Sequence, residues 1–571
     1  MILTNEKLHP IPFTNIPAGF QIEALQDVKA YYEQITSTAP QNATELITLM
    51  EKSSDISAAL SDELSWRYIR MTCHADDETF EKAYNDFYSN IFAPTEPYRF
   101  EVQKLFYESP YRDDLDPELY LHLEQIISNE IQLYREENIP IKIQESELAN
   151  RYGGSVSKMT AMIDGQEKTV SQLSVYMHEQ DRAKREEAWR LRMGCYADRQ
   201  VDLDALFDEL RNLRNQITAN TGFDNYRDYM HKSMGRFSYT PDDLLQFHDS
   251  VATVVVPFIK ELNQHRQSVL GVESLRPWDT TVDLDGIQLK PFETTAEFID
   301  KAIIILNKIN PRYALQLEMM NNTGLLDLEN HKGKAPGGYN TGINNLASSF
   351  IFMNHVKLHN DVVTLLHEAG HAMHSTAVKD ITIDFYREPP SEVAELASMT
   401  MELLSMDYWN EYYPNAADFK KAKKDQLIGT LSFLPWCMNV DAFQHWIYLH
   451  PIHTPAERAQ AFVEINNRFS SGIDWSDLEE YHKILWMSQL HIFEVPFYYI
   501  EYGMAQLGAL SIYMNYRKNP EQALKAYDEF LNLGYSKPVS ELYLAAGIKF
   551  DFSEERIREL VEFVRSEIEN L

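Results

Sequence analysis

Asn360–Ser375 reads NDVVTLLHEAGHAMHS. Val362, Val363, Leu365, Leu366 and Ala369 recur three and four residues apart, which predicts an amphipathic helix, and Asn360 or Asp361 can cap its start. On that helix His367 and His371 lie one turn apart on one face, so two imidazoles can converge on a single ion. Glu368 is rotated about 100° from His367. It cannot share that coordination position, but it can reach a water beside the ion. Gly370 leaves room for another element to pack close. Two histidines around a glutamate also arise by chance in core or surface helices. The apolar, helical setting favours a metal site with a carboxylate base.

A third ligand decides the class. The metzincin arrangement needs a glycine three residues after His371 and a histidine three further on, but His374 and Ala377 stand there. The alternative is a carboxylate from a following helix. Phe385–Trp409, FYREPPSEVAELASMTMELLSMDYW, has helical periodicity from Ser391 onward, with two prolines where a first turn tolerates them. Glu388, Glu392 and Glu395 are spaced four and three apart, so a continuous helical register puts all three on one face. Spacing alone leaves the choice among them open. The glutamates not used as ligands can orient the histidines.

Composition fits a helical protein. The 571 residues include 21 Gly and 24 Pro with 44% hydrophobic residues, enough for a large core and too few glycines for a turn-rich β architecture. A net charge of −34 opposes nucleic acid and anionic membrane surfaces as partners, and no basic cluster offsets it. Cys73, Cys195 and Cys437 form no pair pattern, which fits a reducing, cytoplasmic location. The start, MILTNEKLHPIPF, has no leader pattern, and no apolar run is long enough to cross a bilayer. No phosphate-binding loop, dinucleotide fingerprint or serine elbow appears.

Helical periodicity dominates the N-terminal region, as in Thr44–Ala75 and Pro117–Asn138. The first strand signal is Ser155–Leu173, where alternating runs flank Asp164-Gly165 and predict a tight hairpin. A charged helix follows from Asp181, with Trp189 on its buried side. A second extended region spans Ala335–His355, APGGYNTGINNLASSFIFMNH, and an exposed edge of its SSFIFMN run could pair with an extended peptide. Tyr339, among glycines, is either a substrate contact or part of the sheet. His355 and His359 belong to the strand–helix turn rather than to a metal. The expected fold is mostly α with a small sheet beside the HExxH helix. We divide it into an N-terminal helical region, 1–195, and a catalytic region, 196–571.

The stretches HEAGHAMH and EPPSEVAELASM, with QLSVYMHEQDRAKREEAWR, APGGYN and SSFIFMN, resemble the thimet oligopeptidase and oligoendopeptidase F metallopeptidases, and the oligoendopeptidase F branch in particular. The resemblance runs from about Leu148 to the C-terminus. It implies a helical shell around a deep channel, one Zn2+ per chain held by His367, His371 and Glu388, and Glu368 as general base. It also matches HIFEVPFYYIEYG, His491–Gly503, to a tyrosine-rich segment that contacts substrate and stabilises the tetrahedral intermediate. That assigns His491, Tyr499 and Tyr502, with Tyr498 as the alternative to Tyr499. Read without the resemblance, the same segment is an aromatic core helix. The function implied is a zinc-dependent endopeptidase of short oligopeptides. The rivals are a carboxydipeptidase, which would need an anchor for the substrate carboxylate, and a non-catalytic, metal-stabilised peptide-binding protein.

Overall fold

The computed structural model describes residues 8–17, 20–335 and 337–571. Residues 1–7 of the MILTNEKLHPIPF start, residues 18–19, and Pro336 of the APGGYN stretch lie outside them.

Among the described residues, five short strands form two sheets between many helices. β1 (Thr160–Ile163) and β2 (Gln166–Thr169) pair antiparallel, with Ile163 opposite Gln166. Asp164 and Gly165 both have positive φ, 53° and 71°, as a two-residue hairpin turn of this type requires. The second sheet contains β3 (Leu326–Glu329), β4 (Tyr339–Ile343) and β5 (Ser348–His355) in the order β3-β5-β4. β5 runs parallel to β3 and antiparallel to β4, so it is the central strand. The expected free edge of SSFIFMN is therefore corrected. Its near-continuous apolar run marks a strand covered on both sides, and the outer strands are β3 and β4.

The chain folds as two compact units. The first comprises residues 1–132, 289–423 and 508–550. It contains the three-stranded sheet, a 31-residue helix (Ala43–Cys73) capped by the Asn42 side chain, and two central helices. One of these, His359–Ala377, is called the histidine helix below; the other, Ser391–Ser405, the glutamate helix. The histidine helix buries Val362, Leu365, Leu366, Ala369 and Ala372 completely. Full burial of each larger side chain contributes about 2 kcal/mol. Gly370 is required where the two helices touch. A Cβ there would stand 2.6 Å from Ser398 Cα and 2.9 Å from the Ala397 carbonyl oxygen.

The second unit comprises residues 133–288, 424–507 and 551–571. The division drawn between residues 195 and 196 lies inside it. Its apolar core gathers Trp189, Phe207, Phe443, Phe462, Trp486 and Phe493. The helix Arg182–Asp198 begins at Asp181, whose carboxylate accepts from the Ala183 N–H, and buries Trp189 as its periodicity predicts. All three cysteines are buried and free. Among the described residues, no helix is long and apolar enough to cross a membrane.

Candidate metal centre

The histidine helix starts where β5 ends. Asp361 accepts the Val356 and Leu358 N–H groups at 2.9 and 2.8 Å and so fixes the turn between strand and helix. His355 bonds to Thr295 and His359 to Tyr413, so both histidines belong to this junction. Two turns further on, His367 and His371 meet at a ring separation of 5.0 Å, each with a side chain 20% exposed.

The carboxylate that meets them is Glu395. Its Oε2 lies 3.2 Å from His367 Nε2 and 3.6 Å from His371 Nε2. Among the described residues, these are the three side chains whose ligand atoms lie within 4.8 Å of one another. Donors sharing one tetrahedral zinc stand about 3.4 Å apart, given bonds of roughly 2.1 Å. Two imidazoles and one carboxylate at this spacing fit that ion, with the fourth position left for a water or substrate.

Glu388, expected as the third ligand, is placed elsewhere. The reason is local. Pro389 and Pro390 interrupt the register, Pro390 occupies the N-cap position, and Glu388 has φ −112° and ψ 79° outside both flanking helices. A residue before proline is pushed out of the helical region, so the four-and-three spacing from Glu388 never becomes a helix face. Glu388 instead lines a recess of about 320 Å³ with Asn340, Asn344, Ser375, Lys379 and Arg387. It reaches solvent there, yet the surrounding protein desolvates its carboxyl. Desolvation and Asp384 raise its pKa against the pull of Arg99 and Arg387. Glu392 is buried, and its carbonyl accepts from Tyr543.

A residue missed in the sequence is Glu402. Its Oε1 stands 2.7 Å from His367 Nδ1, so the ring can donate there and leave Nε2 facing Glu395. Glu395 and Glu402 are seven apart on one helix, two turns along the same face, and that spacing was the available signal. Burial would raise the Glu395 carboxyl, but the His371 and His367 rings and the Ser398 hydroxyl bring it down to about 2. For His367, burial is outweighed by Glu395 and Glu402, and its pKa is raised well above the ordinary value. His371, with burial dominant, falls to about 4.

Glu368 points differently. It is buried, its Oε2 has no hydrogen-bond partner among the described residues, and burial first, then Glu395 and Glu402, push its carboxyl up to about 7. A buried carboxylate oxygen without a donor is costly in a structural role and suited to taking a proton.

His491, Tyr499 and Tyr502 come together in the second unit. The His491 ring lies 4.7 Å from Tyr499 and 6.1 Å from Tyr502, while Tyr498 is 6.2 Å away. Burial lowers His491 to about 4 and raises Tyr499. At pH 7 His491 and Tyr499 are therefore neutral. The corner that folds this segment is Phe497, a non-glycine residue at φ 67°. Such a conformation costs about 1–2 kcal/mol. Tyr339, the open assignment, belongs to the sheet: its ring stacks on Phe352 at 4.8 Å and its hydroxyl meets Thr72 at 2.6 Å.

Comparison with known proteins gives this geometry a family. The profile of peptidase family M3 matches residues 175–562, and that of the peptidase M3 N-terminal domain matches 19–134. The chain belongs to peptidase family M3. An oligoendopeptidase F homolog of Borreliella burgdorferi is 27% identical over 301 residues, covering 49% of this chain and 48% of that protein. The group B oligopeptidase PepB of Streptococcus agalactiae is 21% identical, with 90% of each chain covered. A solved structure of PZ peptidase A with an inhibitor superposes with a TM-score of 0.88 at 26% identity, covering 98% of this chain and 99% of that one. This M3 chain thus has the mostly helical fold with a small sheet that its sequence pattern implied.

Proposed function

We propose that this M3 peptidase is a zinc-dependent endopeptidase that hydrolyses short oligopeptides, with one ion per chain held by His367, His371 and Glu395. The observation that carries the reading is the convergence of those three donor atoms beside the partnerless Oε2 of Glu368. Bound there, the ion would supply Lewis acidity and lower the pKa of a water towards about 7. Glu368 takes the proton of the attacking water and returns it to the departing amine. Glu402 holds the His367 ring by its other nitrogen. His491, Tyr499 and Tyr502 keep the role that the family resemblance gives them, donating hydrogen bonds to substrate and to the tetrahedral oxyanion. The neutral His491 imidazole and Tyr499 phenol suit that role.

One of the two outer strands, β4, offers an edge to an extended peptide, giving affinity through main-chain bonds with little sequence preference. We place the enzyme in the cytoplasm, because three free, buried thiols match a reducing compartment.

The test is Glu368→Gln assayed on an internally quenched peptide. Turnover should fall by roughly 10²–10⁴-fold, with bound zinc unchanged in elemental analysis. Normal turnover in the zinc-loaded variant would remove Glu368 from the mechanism.

A further inference from the structure

The segment His491–Tyr502 turns at a strained corner whose two peptide groups are held by buried side chains with no role in the chemistry so far. The Phe497 N–H donates to Gln444 Oε1 at 2.8 Å. Its carbonyl accepts from Arg236 Nη2. The same guanidinium grips Glu501 Oε1 through Nε at 3.0 Å and Nη2 at 2.8 Å. Arg236 and Glu501 are 4% and 2% exposed, and Gln444 is fully buried. The Phe497 ring is enclosed by Tyr448 and His445, at 5.4 and 5.7 Å.

These bonds fix both ends of the tyrosine array. Glu501 lies between Tyr499 and Tyr502 on the helix Tyr499–Lys518, and Phe497 precedes Tyr498 directly. Arg236 therefore ties the corner to the helical turn that carries the phenols. A left-handed conformation at a bulky residue persists only where its surroundings over-determine it. Here a guanidinium and an amide from two other segments do so. A buried charged pair of this kind is weak evidence for stability and better evidence for specified geometry.

We propose that Arg236, Gln444 and Glu501 are positioning residues for the peptidase reaction, which set His491, Tyr499 and Tyr502 at the spacing needed to meet the oxyanion. The inference rests on the reading of those three side chains given above. An arginine is needed at 236 because one planar fork serves Glu501 and the Phe497 carbonyl together. A lysine keeps the charge but presents a point donor.

The experiment uses the full-length, zinc-loaded enzyme and compares Arg236→Lys and Gln444→Met with wild type, each alone and combined with Tyr499→Phe/Tyr502→Phe. Gln444→Met preserves side-chain volume and the buried ion pair, so it stands if the arginine variant folds poorly. Either change should lower kcat at least tenfold, with KM within about twofold and zinc content unchanged. In the double-phenylalanine background the same changes should cost clearly less, because two of the three donors they position are gone. An equal loss of kcat in both backgrounds, or no loss in either, would overturn the proposal. If the double-phenylalanine enzyme alone turns over at the wild-type rate, the reading of the tyrosines fails and the positioning role falls with it.

Discussion

The metal cluster and the tyrosine segment solve the problem of placement in opposite ways. At the cluster, regular secondary structure is sufficient. Two helices packed at glycine distance set two histidines and a carboxylate by their periodicity, and charge-assisted hydrogen bonds complete the arrangement. At the tyrosine segment, no single helical face collects the groups. His491 sits on the short turn Leu490–Glu494, the tyrosines on the next helix, and a positive-φ phenylalanine joins them. The first arrangement follows from local spacing. The second depends on contacts made by residues more than fifty positions away in sequence.

The widest gap between the two regions should appear on removal of a ligand. Glu395→Ala takes away one of three donors and leaves His367 and His371 facing each other without their shared anion. Bound zinc after dialysis should fall to near background, and turnover should fall with it. Glu388→Ala, seven residues earlier and beyond two prolines, should keep stoichiometric zinc. Metal analysis of the two purified variants checks this directly. Zinc lost from the Glu388 variant and retained by the Glu395 variant would reverse the ligand assignment.

That pair also marks how far the sequence could be read. The helix, its histidines, Glu368, the Gly370 contact and the Asp164-Gly165 hairpin were legible because each depends on residues a few positions apart. Glu395 was one of three candidates among which spacing left the choice open, and the family resemblance pointed to Glu388. Pro389-Pro390 was read as a tolerated first turn, whereas it ends the preceding turn and begins a new helix. β5 was read as a free edge because strand order depends on which distant strands pair, and β3 reaches it across a parallel connection that leaves no local signal. Arg236 and Gln444 carried no signal either, since neither lies in the tyrosine stretch.

A smaller effect is expected from the phenols. Loss of one oxyanion donor costs roughly 10²–10³ in kcat, so Tyr499→Phe should lower kcat by about that factor while zinc content stays constant. Tyr498→Phe is the internal control, because its ring packs on Tyr502 at 5.2 Å and lies further from His491 than Tyr499 does. Steady-state kinetics on one quenched peptide separates the two. A large loss in the Tyr498 variant with a silent Tyr499 variant would move the role by one residue and shift the alignment of the whole segment.

The smallest effect returns to the cluster and tests whether its charge-assisted bonds matter beyond the helix spacing. Glu402 reaches the proposed ligand set through His367, whose Nδ1 it holds at 2.7 Å. If periodicity alone positions the imidazole, Glu402→Gln should leave zinc affinity unchanged. If the carboxylate fixes the tautomer and strengthens Nε2 as a donor, affinity should drop by about 10–100-fold. The amide keeps the size and one acceptor, so most of the loss would report charge rather than packing. Zinc titration against a competing chelator measures it without reference to turnover. A drop confined to this range would show that the cluster, like the tyrosine segment, relies on a buried partner, but one that sits on the same helix as the ligand Glu395 and can therefore be found from spacing.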